Sequence, residues 1–313
     1  MAHDRKFRFG VQVSNAASPA DWRDKARKYE DLGFSTLFMP DHFIDTQLAP
    51  MVAITYAAAV TDRLRVGMLV LGNDYKHPAV TAKEAATVDL LSDGRLEFGL
   101  GAGWMQTDYD ALGMQCDRPG VRVDRLAEAV AVVKGAWGDG PFSLEGEHYT
   151  ITDYDGIPKP VQQPYPPILI GGGAPRVLRL AGKEADIVGI NPNLRAGAVT
   201  ADAVESSLAE ATKQKIEWIR EGAGDRFDDL ELQIRYFLAS ITDDAKGFAE
   251  AVGGGFGLSA DEALESGVAL VGTVDDACDR LVQRREEWGV SYVVFGDDQV
   301  DQFAPVVARL AGT

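Results

Sequence analysis

At 313 residues, with 46% hydrophobic and 25% charged side chains, the chain has the composition of an ordinary folded protein, and it is long enough to form one α/β barrel. Its formal net charge of -17 argues against a nucleic-acid binder, which needs clustered lysine and arginine, and no stretch approaches the ~18 consecutive apolar residues of a membrane span. Two cysteines without CxxC spacing, Cys116 and Cys278, exclude a disulfide framework; with MAHDRKFRFGVQV lacking an apolar export segment, a reducing cytoplasm is expected.

Along the chain, strands and helices alternate. Phe7 to Val13 reads as a first strand, and Ser18-Pro19 opens a helix with Trp22, Ala26, Tyr29 and Leu32 on one face, stopped by Gly33. A second strand, Ser35 to Pro40, runs into Asp41-His42-Phe43, and Leu48 to Val60 is apolar enough for a buried helix. The stretch of about forty residues from Leu64 to Trp104 is a strand–helix–strand unit: strand Leu64 to Leu71, a helix opened by Pro78 and closed by Ser92-Asp93-Gly94, and strand Leu96 to Leu100. A right-handed crossover makes those two strands parallel neighbours. A loop and short helix, Met105 to Met114, precede a long amphipathic helix ending at Trp137.

Phe142 to Ile151 has the pattern of a hairpin, a small excursion over about residues 140–165, and KPVQQPYPP leads from it into strand Ile168 to Ile170. Gly171-Gly172-Gly173-Ala174-Pro175 turns into a helix, followed by strand Asp186 to Ile190, helix Thr200 to Gly222, strand Leu230 to Ala239 and helix Asp243 to Val252. The segment GGGFG, residues 253–257, is either a loop that closes over a site or a plain surface loop. Helix Val274 to Trp288, strand Tyr292 to Phe295 and helix Phe303 to Leu310 complete the chain. Eight short apolar strands alternating with helices predict a single (β/α)₈ TIM barrel over residues 1–313. A dinucleotide-binding fold is disfavoured because GLGAGW and GGGAPR both lack the third glycine of GxGxxG.

Active residues of such a barrel lie at the carboxyl ends of its strands. Candidates there are Gln12 and Ser14, Asp41 and His42, Leu69 to Asn73, Gly101 to Trp104, Gly171 to Gly173, Asn191 and Asn193, and Arg235 or Tyr236. His42 suits proton transfer, or structural pairing with Asp41. His77, before Pro78, suits a helix cap. Gly72, Gly99, Gly101 and Gly103 either admit a flat ligand to the backbone or relieve crowding in a tight barrel. GGGAPR combines a glycine turn, a helix N-terminus and Arg176 in one anion site, the alternative being a barrel turn with a solvated arginine. No metal-ligand spacing, GxSxG elbow or Cys–His pattern is present, which disfavours a hydrolase, while apolar, glycine-opened strand ends with one phosphate cup and few charged groups suit a large flat cofactor that performs redox chemistry itself.

FRFGVQV, EDLGFSTLFMPDHF, the Leu64 to Trp104 stretch, PPILIGGGAPRVLRLAGKEADIVGIN and ALVGTVDDACDRL together resemble the luciferase-like monooxygenase superfamily, and within it the oxidoreductases that use the deazaflavin coenzyme F420. The resemblance covers nearly the whole chain. It implies that His42, with Asp41, faces the deazaflavin and donates a hydrogen bond or proton near its reactive carbon. Leu69-Val70 falls where the family has a non-prolyl cis peptide whose bulge buttresses the ring, beside Gly72 and Asn73. Gly101, Gly103 and Trp104 would lie along the ring or its ribityl chain, and Gly171, Gly172, Gly173 and Arg176 would hold the phosphate. A homodimer is also implied.

Relatives that oxidise a sugar phosphate place an acid where Trp104 stands and a tryptophan where this chain has Ile44-Asp45-Thr46, so the small-molecule substrate is expected to be apolar or aromatic. FMN is the alternative cofactor, in a monooxygenase; a barrel that binds a cofactor or effector without turnover is the alternative of another class.

Overall fold

The computed structural model describes residues 5–44, 48–253 and 258–313; positions 45 and 46 and residues 254–257 of the glycine-rich loop lie outside them. The strands are β1 (Arg8–Gln12), β2 (Thr36–Met39), β3 (Arg65–Met68), β4 (Leu71–Gly72), β5 (Leu96–Gly101), β6 (Phe142–Glu145), β7 (Thr150–Tyr154), β8 (Ile168–Gly172), β9 (Ile187–Ile190), β10 (Glu231–Arg235), β11 (Leu238–Ile241), β12 (Ala269–Gly272) and β13 (Val290–Gly296). Parallel pairing runs β3-β2-β1-β13-β10-β9-β8-β5, and β3 pairs with β5 to close the ring. This is the TIM barrel expected. β4 continues the line of β3, and β6 and β7 form the antiparallel hairpin.

The helices that position the mouth are α1 (Pro19–Asp31), α2 (Pro50–Ala59), α3 (Pro78–Leu91), α4 (Gln106–Leu112), α5 (Pro119–Trp137) and α6 (Pro175–Glu184). Proline opens α1, α2, α3, α5 and α6, where its missing N–H costs no intrahelical bond. Ser18 caps α1 by accepting from Asp21 N at 3.1 Å, and His77 caps α3 by accepting from Ala79 N at 3.2 Å, as its place before Pro78 suggests.

Three predicted elements change on folding. The strand Leu64 to Leu71 is broken by a cis Leu69–Val70 peptide into β3 and β4. The strand Leu230 to Ala239 leaves the barrel after Arg235: Leu238 to Ile241 turns out to pair with Ala269 to Gly272, a short parallel strand that its four residues concealed in the sequence. The helix Thr200 to Gly222 divides into α7 (Ala201–Glu205) and α8 (Ala209–Ala223), where Ser206 and Ser207 turn their hydroxyls onto Ala203 O and Val204 O.

The two-residue strand period sends alternate residues into the barrel, so the interior is stacked in layers. At the amino ends of the strands lies an ion cluster. Arg8 donates to Glu97 Oε1 at 2.6 Å and, through Nε, to Glu231 at 2.9 Å; Arg65 Nε donates to Glu97 Oε1 at 2.8 Å, and Tyr292 OH to Glu97 Oε2 at 2.8 Å. Above it sit Phe38, Leu169, Ile187 and Val294, with Leu69 and Val70 packed against them from the mouth.

Burial pushes the fully enclosed Glu97 carboxyl up, but the Arg8 and Arg65 guanidiniums and the donated hydrogen bonds outweigh it, holding the group below the usual carboxylate range. A depressed folded value stabilises the barrel above the unfolded value of ~4.3 and stops doing so as the pH falls through the folded one. Glu97→Gln, which strands two cations, is expected to cost about 3–5 kcal/mol at pH 7 in urea unfolding. The gap from the wild type should narrow below about pH 4; a gap unchanged with pH would contradict an ionised Glu97.

Candidate active site

At the carboxyl ends of the strands, the break after β3 sets the floor of the mouth. Gln12, inward-facing at the end of β1, donates from Nε2 to Leu69 O at 2.8 Å and holds the bulge. Val70 then projects among glycines. A Cβ added at Gly101 would lie 2.6 Å from Val70 Cγ2, and one at Gly171 3.4 Å from Val70 Cγ1. One at Gly99 would meet Met68 O at 1.7 Å. The bulge occupies the room that Gly99 and Gly101 leave. The resulting floor is apolar and carries little side-chain relief.

His42 follows β2, the strand next to β3, where Leu69 N donates to Met39 O at 2.8 Å. Its Nδ1 is 2.7 Å from Asp108 Oδ2, and Phe43 N donates to Asp108 Oδ1 at 2.9 Å. Tyr75 OH approaches Asp108 Oδ2 at 3.4 Å. Asp108 is fully buried on α4, so its carboxylate acts on the imidazole and is screened from the mouth itself. A carboxylate on Nδ1 fixes the tautomer with Nδ1 protonated and makes Nε2 the basic nitrogen. Trp104 packs edge-on to the imidazole, with ring centroids 5.5 Å apart.

The other sequence candidates divide. Asp41 accepts from Gly72 N at 3.0 Å, and burial raises its carboxyl above the usual range. It therefore anchors β4 and is not the partner of His42. Asn73 is buried and donates to Tyr149 OH at 3.2 Å, tying β4 to the hairpin. Gly103 takes a left-handed φ of 72°, and a Cβ there would strike Tyr109 Oη at 2.1 Å. Gly172 packs against Val177 and Gly173 against Pro192 O.

Arg176 is solvent-exposed beside the glycine turn. Its guanidinium lies on Asp124 and Gly120 O of α5, because the start of α6 faces the start of α5 and a carboxylate is already there. A cavity beside Trp104 is lined by Arg118, Arg122 and Arg195 but also by Asp117, and Arg122 donates to Cys116 Sγ at 2.8 Å and Asp117 O at 2.7 Å. The apolar Val70 floor and these cations are the groups that could hold a planar ring and a phosphate tail.

Asp108 and Tyr75 were not among the sequence candidates. The signal for Asp108 was its place in the first turn of the short helix after the glycine strand end; its buried neighbour Tyr109 marks that helix face as inward. On the opposite side of the mouth, Asn191 follows β9, and Lys215 donates to Asn191 O at 2.7 Å and Ser206 O at 2.5 Å. Burial pushes the Lys215 ammonium down to about 8. Among the described residues, no group of His, Cys, Asp and Glu is placed to hold a metal ion, and no helix is long and apolar enough to cross a membrane.

The luciferase-like monooxygenase family model matches residues 6–246. The chain belongs to the luciferase-like monooxygenase family. Luciferase-like relatives include an FMNH(2)-dependent dimethylsulfone monooxygenase of Pseudomonas putida, 31% identical over 65% of this chain and 55% of that one. They also include an F420-dependent glucose-6-phosphate dehydrogenase of Kineococcus radiotolerans, 30% identical over 59% and 56%. The chain spans about half the length of these curated relatives. The solved coenzyme F420 dependent tetrahydromethanopterin reductase of Methanopyrus kandleri shares the fold at a TM-score of 0.77 and 21% identity, over 98% of this chain and 100% of that one.

If the Asp108 carboxylate fixes the imidazole, Asp108→Asn should remove the Nδ1-protonated signature of His42 from side-chain ¹⁵N NMR spectra. Asp108→Ala, which leaves buried donors unmatched, should cost about 1–3 kcal/mol in unfolding. An unchanged His42 spectrum in Asp108→Asn would show that another group sets the tautomer.

Proposed function

We propose that the chain is an F420-dependent oxidoreductase that transfers a hydride between deazaflavin and a small organic substrate of apolar or aromatic character. The observation that carries this is the His42–Asp108 pair standing beside the Leu69–Val70 floor at the barrel mouth. Bound there, the deazaflavin would supply the hydride-carrying carbon, and the chain would supply position, dryness and a proton. Val70 and Leu69 support one face of a planar ring. His42 holds or releases a proton at Nε2 while Asp108 steadies the charge that forms on the imidazole. Trp104 walls the site with an apolar surface and has no titratable group, which favours an apolar substrate over a sugar phosphate.

The FMNH(2)-dependent relative keeps a second reading in view, a flavin monooxygenase on the same floor. Titrating the purified protein with F420 and with FMN while following fluorescence quenching separates the two: saturable quenching by F420 is expected, and tight FMN binding without F420 affinity would contradict the proposal. His42→Ala should keep the quenching and lose about 10²–10⁴-fold in turnover across a substrate panel. A wild type that binds F420 but turns over nothing on a broad panel would favour the non-catalytic barrel.

A further inference from the structure

Arg235 ends β10 on the same inward face as Glu231 and Gln233. Deep in the barrel, Glu231 has Arg8 as its counter-ion. At the mouth, Arg235 has none. Its Nε is buried without a hydrogen-bond partner, and among the described residues no carboxylate comes within ion-pair distance of the guanidinium. Asp298, exposed on the rim, relieves it only through its field, and burial holds the guanidinium down to about 10. The Phe237 ring lies 4.3 Å from its central carbon. A partly buried cation without an ion-pair partner is costly to keep, and such groups gather where a ligand completes them.

The neighbouring groups describe that ligand. Ile234 pairs with Ile190, so the next positions, Arg235 and Asn191, come side by side at the rim. Gln233, one layer below and 1% exposed, has an Nε2 that also lacks a partner. A Cβ at Gly296 would meet Asp298 Oδ1 at 2.5 Å and lie 3.4 Å from Arg235 Nη2, so the Asp298 carboxylate borders the guanidinium without pairing with it. Across the mouth stand the apolar Leu69 and Val70. A single guanidinium balances a single negative charge, and its planar fork matches the two oxygens of a carboxylate. A phosphate dianion would need a second cation, but Lys215 directs its protons to backbone carbonyls.

We infer that Arg235, assisted by Asn191 and Gln233, receives the carboxylate of an apolar organic acid at the barrel mouth. This rests on the reading of the mouth as the substrate side of a redox site and narrows the substrate to a carboxylic acid with an apolar body.

The test is made on the cofactor-free protein, so its failure and the failure of the F420 titration are separate results. Benzoate, benzamide and inorganic phosphate are titrated by calorimetry and thermal melting. Benzoate should bind saturably and raise the melting temperature, while benzamide and phosphate should leave it unchanged. Arg235→Met should abolish the benzoate response and melt no lower than the wild type, because it removes an uncompensated charge. Arg235→Lys, which keeps the charge without the fork, should bind benzoate about tenfold more weakly. Asp298→Asn should strengthen benzoate binding. Equal responses to benzoate and benzamide, phosphate binding tighter than benzoate, a benzoate response surviving in Arg235→Met, or an Arg235→Met variant less stable than the wild type would each overturn the inference. A loss of F420 binding in Arg235→Met with benzoate binding intact would assign the arginine to the cofactor instead.

Discussion

The interruption of the third barrel strand at Leu69–Val70 governs the rest of the mouth. Continued regularly, that strand would have sent a side chain along the wall and left its end like its neighbours. Instead the chain bulges inward, Gln12 holds the exposed carbonyl, and Val70 occupies space that Gly99, Gly101 and Gly171 leave vacant. The glycines and the bulge require each other: a methyl at Gly99 or Gly101 would collide with Met68 O or Val70. What results is a shallow apolar platform on top of a filled barrel, with an ion cluster sealing the opposite end.

Around the platform the polar groups are distributed unequally. On the β2 and α4 side they are saturated: Asp108 is shared among the imidazole, a backbone N–H and a phenol, and Asp41 and Asn73 are committed to the backbone and to the hairpin. On the β9 and β10 side, Gln233 Nε2 and Arg235 Nε are buried with no partner. A saturated wall holds the His42 imidazole in one orientation, whereas an unsaturated wall leaves donors without partners. Placing the two on opposite sides of one platform gives the mouth a direction, which the proposed function would use for proton chemistry at one edge and recognition at the other.

Much of this was legible from residue order. Alternation of strands and helices gave the closed barrel, strand ends gave the rim, and Pro78 with His77 gave a capped helix start. Long-range pairing was not legible. Asp108 is 66 positions from His42, and nothing in the local pattern of α4 says which residue its acid will meet. Arg176 shows the converse, since GGGAPR has the local chemistry of an anion site while Asp124 of α5, 52 positions away, takes the guanidinium. The glycines illustrate a third limit: a missing Cβ signals close approach without saying whether a ligand or the protein's own bulge makes it.

The central claim is that a planar redox cofactor rests on the Leu69–Val70 platform with its reactive edge toward His42. A crystal structure of the protein soaked with F420 tests it most directly. The account predicts the deazaflavin ring in contact with Val70 and within hydrogen-bond reach of His42; a ring held elsewhere, with the platform covered by solvent or by the chain itself, would contradict it.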